Sequence, residues 1–195
     1  SFYVTSLLFF LMTFFAASSE SVQIGGGGEV WGNGPFAISQ TLLVMSIIAM
    51  FLVVNFVGST ALRNNASQME ELVYSKPLVS WQYQLGRFIG AYAVVALVFA
   101  FVPLGTLVGS LMPWVDQERF GPTVLSYYLS AFLLFSVPTL FVLSALFFAI
   151  ANKFRSMMAM YLVAVGVFIL YVIAGSFARE PAYRTLAALL DPFGL

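Results

Sequence analysis

Long apolar runs broken by short polar ones set the pattern of this 195-residue chain. Five runs approach the length of a bilayer crossing, for which about 20 apolar residues in a helix suffice. They cover about Ser1–Ala17, Ile38–Leu62, Trp81–Leu111, Thr123–Ala151 and Met157–Phe177. The pattern predicts an all-α, polytopic membrane helix bundle forming a single transmembrane domain over residues 1–195. The first run is slightly short, and the third, at about 1.5 Å per residue, is longer than the hydrocarbon core. Pro103 and Pro138 fall inside the third and fourth runs, where a missing N–H kinks a helix. The tail places Tyr183, Leu186, Ala187 and Leu190 at helical spacing before Pro192, which predicts a short interfacial helix at about 180–191.

The stretch Asn64–Phe88 is the polar interruption around which the chain is organised. Met69, Leu72 and Val73 share one helical face, with Gln68, Glu71, Ser75 and Lys76 on the other. Ser67 and Glu70 stand in capping-box spacing, which satisfies two N–H groups at a helix start. Pro77 stops the helix, and Ser80 can cap the next one. A short amphipathic helix over about 64–76 follows, either resting at the lipid interface or docking a soluble partner.

Within the spans, four features concern packing. An amide at membrane depth needs a partner, so Asn55 is expected to face another helix or a polar cavity. Gly86 with Gly90, and Gly105 with Gly109, form two GxxxG pairs, a spacing that lets helices approach closely. Gly166 and Gly175 are expected to be further close-contact points.

Composition narrows the class of function. The chain is 61% hydrophobic and 8% charged, whereas water-soluble domains carry about a quarter charged residues. It has no cysteine and no histidine, which removes disulfides, thiol chemistry, His-based catalysis and Cys or His metal sites. The carboxylates are scattered and form no spaced ligand set, so no metal or cofactor is expected. The run Gly25–Gly28 has no following GK[ST], so it reads as a flexible loop and not as a phosphate cradle. No basic patch alternates with aromatics, so no nucleic-acid partner is expected. Neither end resembles a natural terminus, and the chain reads as a fragment of a longer protein.

Charge orients the spans. Arg63, Lys76 and Arg87 cluster after the second run, and Lys153 and Arg155 after the fourth, whereas the loops after the first and third runs hold only Arg119 between them. The positive-inside rule then puts residues 63–80 in the cytoplasm and residues 18–38 outside. Trp81 and Tyr83 fall at the inner interface, and Trp114, Tyr127 and Tyr128 at the outer, as aromatic belts.

The residues Glu70-Glu71-Leu72-Val73-Tyr74-Ser75-Lys76-Pro77, followed by Tyr83-Gln84-Leu85-Gly86-Arg87-Phe88, resemble the segment between the second and third helices of ABC-2 type permeases. These are the membrane subunits of one class of ABC transporter. Glu70 or Glu71, Ser75, Pro77, Gly86 and Arg87 carry the match, over about 25 residues, and the layout of spans agrees along the chain. The wording ELVYSKP is closest to a branch associated with M1-type aminopeptidase domains. The helix that precedes the first span in this family and the sixth span are missing. The resemblance implies a half-transporter in a bacterial plasma membrane, paired with a second permease subunit. It implies a cytoplasmic ATPase docking on a coupling helix through Ser67, Met69, Glu70, Glu71, Leu72, Val73, Ser75 and Pro77. The expected function is the membrane subunit of an exporter that does not itself hydrolyse ATP, since no P-loop is present. The alternative is a membrane anchor for a fused extramembrane enzyme; no HExxH occurs in this segment. The spans hold no charge deep in the bilayer, which favours lipidic or amphiphilic cargo over a small ion.

Because the sequence has no cysteine, single substitutions report the orientation. Ser21→Cys and Gln117→Cys are expected to react with an impermeant thiol reagent in intact cells, and Ser67→Cys and Ser156→Cys are not. The opposite labelling pattern would invert the topology.

Overall fold

A computed structural model describes residues 2–19, 31–66, 80–115 and 120–177, with side chains left undescribed at 63–66, 80 and 174–177. The stretch 67–79, which holds the expected docking residues Ser67, Met69, Glu70, Glu71, Leu72, Val73, Ser75 and Pro77, lies outside the described residues. So does the tail 178–195 with its expected interfacial helix. All regular structure among the described residues is helical. The helices are α1 (Phe2–Ser18), α2 (Pro35–Ala66), α3 (Ser80–Phe99), α4 (Phe101–Ser110), α5 (Leu125–Ala131), a π-helical turn (Phe132–Ser136), α6 (Val137–Phe154) and α7 (Met157–Phe177).

Among the described residues three stretches are long and apolar enough to cross a membrane: Pro35–Leu62, Trp81–Ser110 and Leu125–Phe154. Phe2–Ser18 and Met157–Ile173 are shorter apolar helices. Sequence pattern and structure thus agree on a helical membrane protein.

Where the helices start and stop follows from local chemistry. α2 begins three residues before the expected Ile38, because Pro35 occupies its first position, where the missing N–H costs nothing. The Gly34 carbonyl accepts the first helical bond from Ile38 N–H at 3.1 Å. At its other end α2 runs on through Asn64, Asn65 and Ala66, residues that the amphipathic pattern had assigned to the next helix.

The two prolines inside the long apolar stretches are absorbed differently. Ala100 separates α3 from α4, so Pro103 falls in the first turn of α4, where proline is tolerated. Ahead of Pro138 the helix widens: the Val137 N–H bonds to the Phe132 carbonyl five residues back, closing a π-turn. Such a turn admits one extra residue and gives the proline ring room against the preceding turn.

α6 continues past Ala151 to Phe154, taking in Lys153, which the sequence places in a loop. A lysine in the last turn suits the negative end of the helix dipole. Arg155 then closes the helix in a left-handed conformation, φ 50°, and its N–H bonds to the Ala151 carbonyl at 2.9 Å. This is the αL cap that glycine ordinarily supplies.

The described residues pack as two compact units. The first contains the described residues up to Ser46 and those from Ala96 to Pro138; the second contains those from Ile47 to Val95 and from Thr139 onward. In the first, α1 lies along α4, and the Phe9 and Phe99 rings sit 6.1 Å apart. In the second, Phe88, Tyr92, Phe141 and Phe148 form an aromatic cluster joining α3 to α6, with edge-to-face pairs at 5.4 and 5.5 Å. α6 buries Leu140, Leu143, Ser144, Phe147 and Ala151, one stripe at helical spacing.

Hydroxyls inside these helices mostly turn back to their own backbone, as lipid demands. Thr41 donates to the Ala37 carbonyl and Ser46 to the Leu42 carbonyl, both at 2.8 Å, and Thr60 donates to Phe56 at 2.8 Å. Ser136 and Ser144 are buried with no partner among the described residues. Of the two tyrosines expected at an interface, Tyr127 is exposed, while Tyr128 is buried and shares a side-chain hydrogen bond with Ser110. Consecutive residues on a helix point about 100° apart, so the two tyrosines cannot both face outward along one line.

The cap at Arg155 gives a direct test. Arg155→Gly removes the Cβ from a left-handed position and is expected to stabilise the protein by up to about 1 kcal/mol, while Arg155→Val costs at least about 1 kcal/mol. Thermal unfolding in detergent measures both; equal midpoints for the two variants would contradict the strained cap.

Candidate functional site: packing glycines and a polar clasp

Among the described residues the polar and small side chains build contacts between helices. All eight acidic residues of the chain lie outside the described residues.

Two helices approach closely at Gly105 and Gly109, on one face of α4 against α1. A Cβ at Gly105 would meet the Thr13 hydroxyl and lie 2.6 Å from the Phe10 carbonyl oxygen. One at Gly109 would lie 2.8 Å from both the Ala17 Cβ and the Phe14 carbonyl oxygen. Backbone thus meets backbone, which only the absence of a side chain permits. Thr13 is fully buried at this contact, its hydroxyl hydrogen-bonded to the carbonyls of Phe9 at 2.9 Å and Phe10 at 3.1 Å. The seam therefore carries no unsatisfied hydroxyl at Thr13.

Gly86 and Gly90 share the spacing but not the setting: a Cβ at either would meet nothing within 4 Å. Their neighbours Trp81, Leu85 and Ile89 are exposed on the same helix. Gly58, which no spacing motif marks, is closely covered instead, with the Met160 and Met157 sulfurs 2.8 and 2.9 Å from where its Cβ would stand. A lone glycine between Val54 and Leu62 offers no four-residue partner, so the sequence gives no sign of this contact. Asn55 lies on an exposed face of α2.

A polar clasp joins the segment before α2 to the segment before α5. Asn33 donates its side-chain N–H to the Gly121 carbonyl at 2.7 Å and accepts the Gly121 N–H at 2.8 Å. The amide is 4% exposed, and the Trp31 ring lies over Gly121 so closely that a Cβ there would collide with it. A carboxamide suits this contact because it offers a donor and an acceptor side by side. The sequence places Asn33 inside the Gly-rich loop, and nothing local ties it to a residue 88 positions away. Close by in the chain, Met12, Phe15, Ser18, Met45 and Trp114 line an open, mostly apolar groove of about 720 Å³.

At the ends of α2 and α3 that flank residues 67–79, Arg87 donates to the Thr60 carbonyl, and its guanidinium lies 5.5 Å from the centre of the Tyr83 ring. The residue that the permease resemblance singles out as Gly-Arg thus fastens α3 to α2 within the second unit.

The two glycine pairs predict opposite responses. Gly105→Ala forces α1 and α4 apart and is expected to cost about 1–3 kcal/mol. Gly86→Ala adds helix propensity in open space and is expected to be neutral or to gain up to about 1 kcal/mol. Unfolding titrations in mixed micelles distinguish them; equal losses at both positions would place α3 against a neighbour too.

Comparison with family models, with curated proteins and with solved structures gives no match for this chain.

Proposed function

We propose that this chain is the membrane-spanning permease subunit of an ABC-2 type exporter, with five of its helices crossing the bilayer. A separate cytoplasmic ATPase supplies the energy, and a second permease subunit completes the pathway. The reading rests on the resemblance of Asn64–Phe88 to the coupling region of that family. The observation that supports it best is the tie between Arg87 and the Thr60 carbonyl. A coupling element must transmit force into its flanking spans together, and α2 and α3 are joined at the point where the stretch 67–79 enters and leaves them. Cargo of lipidic or amphiphilic character suits helices with no charge at depth and the apolar groove beside Trp114.

In this reading Met69, Leu72 and Val73 form an apolar ridge that seats in a groove of the ATPase. Glu70 and Glu71 meet basic residues beside it, and Ser67, Ser75 and Pro77 fix the ends of the helix. Leu72→Asp, or Glu70→Lys with Glu71→Lys, is therefore expected to abolish co-purification of a cytoplasmic ATPase while membrane insertion persists. A helix that only rests on lipid responds oppositely to the lysine change, because added basic charge tightens contact with anionic headgroups. An ATPase retained by the double lysine variant would favour the anchor function instead.

A further inference from the structure

Within the second unit, helix ends meet beside one turn of α2. The start of α3 is tied there by Arg87, whose guanidinium donates to the Thr60 carbonyl. The corner between α6 and α7 is held there by Met157, whose sulfur lies 2.9 Å from where a Gly58 Cβ would stand. Phe88 and Phe148, with ring centres 5.5 Å apart, join α3 to α6. The same corner carries Lys153 and Arg155. Packing thus brings three cationic side chains to one end of the unit. Lys153 and Arg155 are exposed, and Arg87 is half-buried. Large apolar side chains stand exposed around them: Trp81 and Leu85 on α3, Phe154 and Met158 at the corner. The Lys153 ammonium lies 5.7 Å from the centre of the Phe154 ring.

Arg155 adds an observation of another kind. It takes a left-handed conformation, φ 50°, which glycine adopts freely and a side chain adopts at a steric cost. If capping α6 were its whole task, glycine would serve better. A strained position that nonetheless carries a long cationic side chain calls for a use of that side chain. We propose that Arg87, Lys153 and Arg155 form a binding site for the phosphate headgroup of an anionic phospholipid. Charge complementarity selects the occupant. The guanidiniums offer several N–H donors to phosphate oxygens, and the lysine adds a compact positive charge. The exposed apolar side chains meet the glycerol and acyl region of the same molecule, so charge and apolar surface act together in a basic pocket between membrane helices. A soluble anion finds the charges but gains nothing from these apolar neighbours. The positive-inside rule puts the site in the cytoplasmic leaflet. The site rests on these helices lying in a bilayer and is independent of any ATPase partner.

The test uses the full-length protein in detergent micelles doped with phosphatidylglycerol or with zwitterionic phosphatidylcholine. A ligand that binds only the folded protein raises its unfolding midpoint, so the midpoint against lipid content gives an apparent affinity. Phosphatidylglycerol is expected to raise the midpoint further than phosphatidylcholine or inorganic phosphate does. Lys153→Gln and Arg155→Gly are each expected to weaken this affinity about 3- to 5-fold, and Arg155→Lys to keep most of it. Arg155→Gly separates the roles of the residue: without anionic lipid it is expected to be the more stable protein, and with anionic lipid to gain less. Lys76→Gln removes a charge from the same side of the membrane outside the cluster and is expected to leave the affinity unchanged. Arg87 is left intact, because it also fastens α3 to α2. An equal response to both lipids, an equal response to inorganic phosphate, undiminished affinity in Lys153→Gln or Arg155→Gly, or an equal loss in Lys76→Gln would each overturn the site. None of these measurements involves an ATPase, so the two proposals fail separately.

Discussion

The contact of α1 with α4 at Gly105 and Gly109 is the point on which the first unit depends. Between helices in lipid there is little hydrophobic force, because the surrounding tails are as apolar as the side chains. What remains is dispersion and hydrogen bonding, and both decline steeply with distance. By presenting bare backbone to Phe10, Phe14 and Ala17, the two glycines bring the helix axes close enough for the flanking side chains to mesh. Phe9 against Phe99, nearly two turns before Gly105, continues the same seam. The second unit solves the problem differently, with a cluster of rings at Phe88, Tyr92, Phe141 and Phe148 and the thioethers of Met157 and Met160 moulded onto Gly58.

A second constraint runs through every irregularity: backbone polar groups in a membrane must be satisfied within the protein. The chain departs from the α-helix where it can afford the change. The break at Ala100 moves Pro103 into a first turn, the π-turn at Phe132–Ser136 accommodates Pro138, and Arg155 accepts a left-handed conformation so that its N–H can reach Ala151. Most threonine and serine hydroxyls follow the same rule by bonding to carbonyls one turn back, Ser136 and Ser144 excepted.

Much of this was legible in the sequence, because length and hydropathy act over whole helices. The long apolar helices and the disturbance at both prolines were visible as pattern. Helix ends were less so: the pattern puts Asn64–Ala66 in a separate amphipathic helix and Asn152–Phe154 in a loop, yet α2 and α6 run on through them. Contacts between distant residues were least accessible. The GxxxG pairs at 86/90 and 105/109 are alike as strings, and only the presence of α1 beside one of them tells them apart. Asn33, Thr13 and Gly58 belong to no motif, so their partners emerge only in three dimensions. Tyr127 and Tyr128 look equivalent as a pair of interfacial aromatics, and the turn of the helix sends one to Ser110.

Charge is kept to the margins of the apolar stretches: Arg87 stands near the start of α3, held by Thr60 and Tyr83, and Lys153 stands in the last turn of α6. No other charged side chain occurs in α1, in the three long apolar stretches or in Met157–Phe177. The electrical consequence is specific. Each elementary charge carried through the full field gains or loses about 2.3 kcal/mol per 100 mV, and apart from Arg87 and Lys153 near their ends these stretches carry none. Rearrangements that leave those two side chains at the margins would therefore be nearly indifferent to membrane voltage.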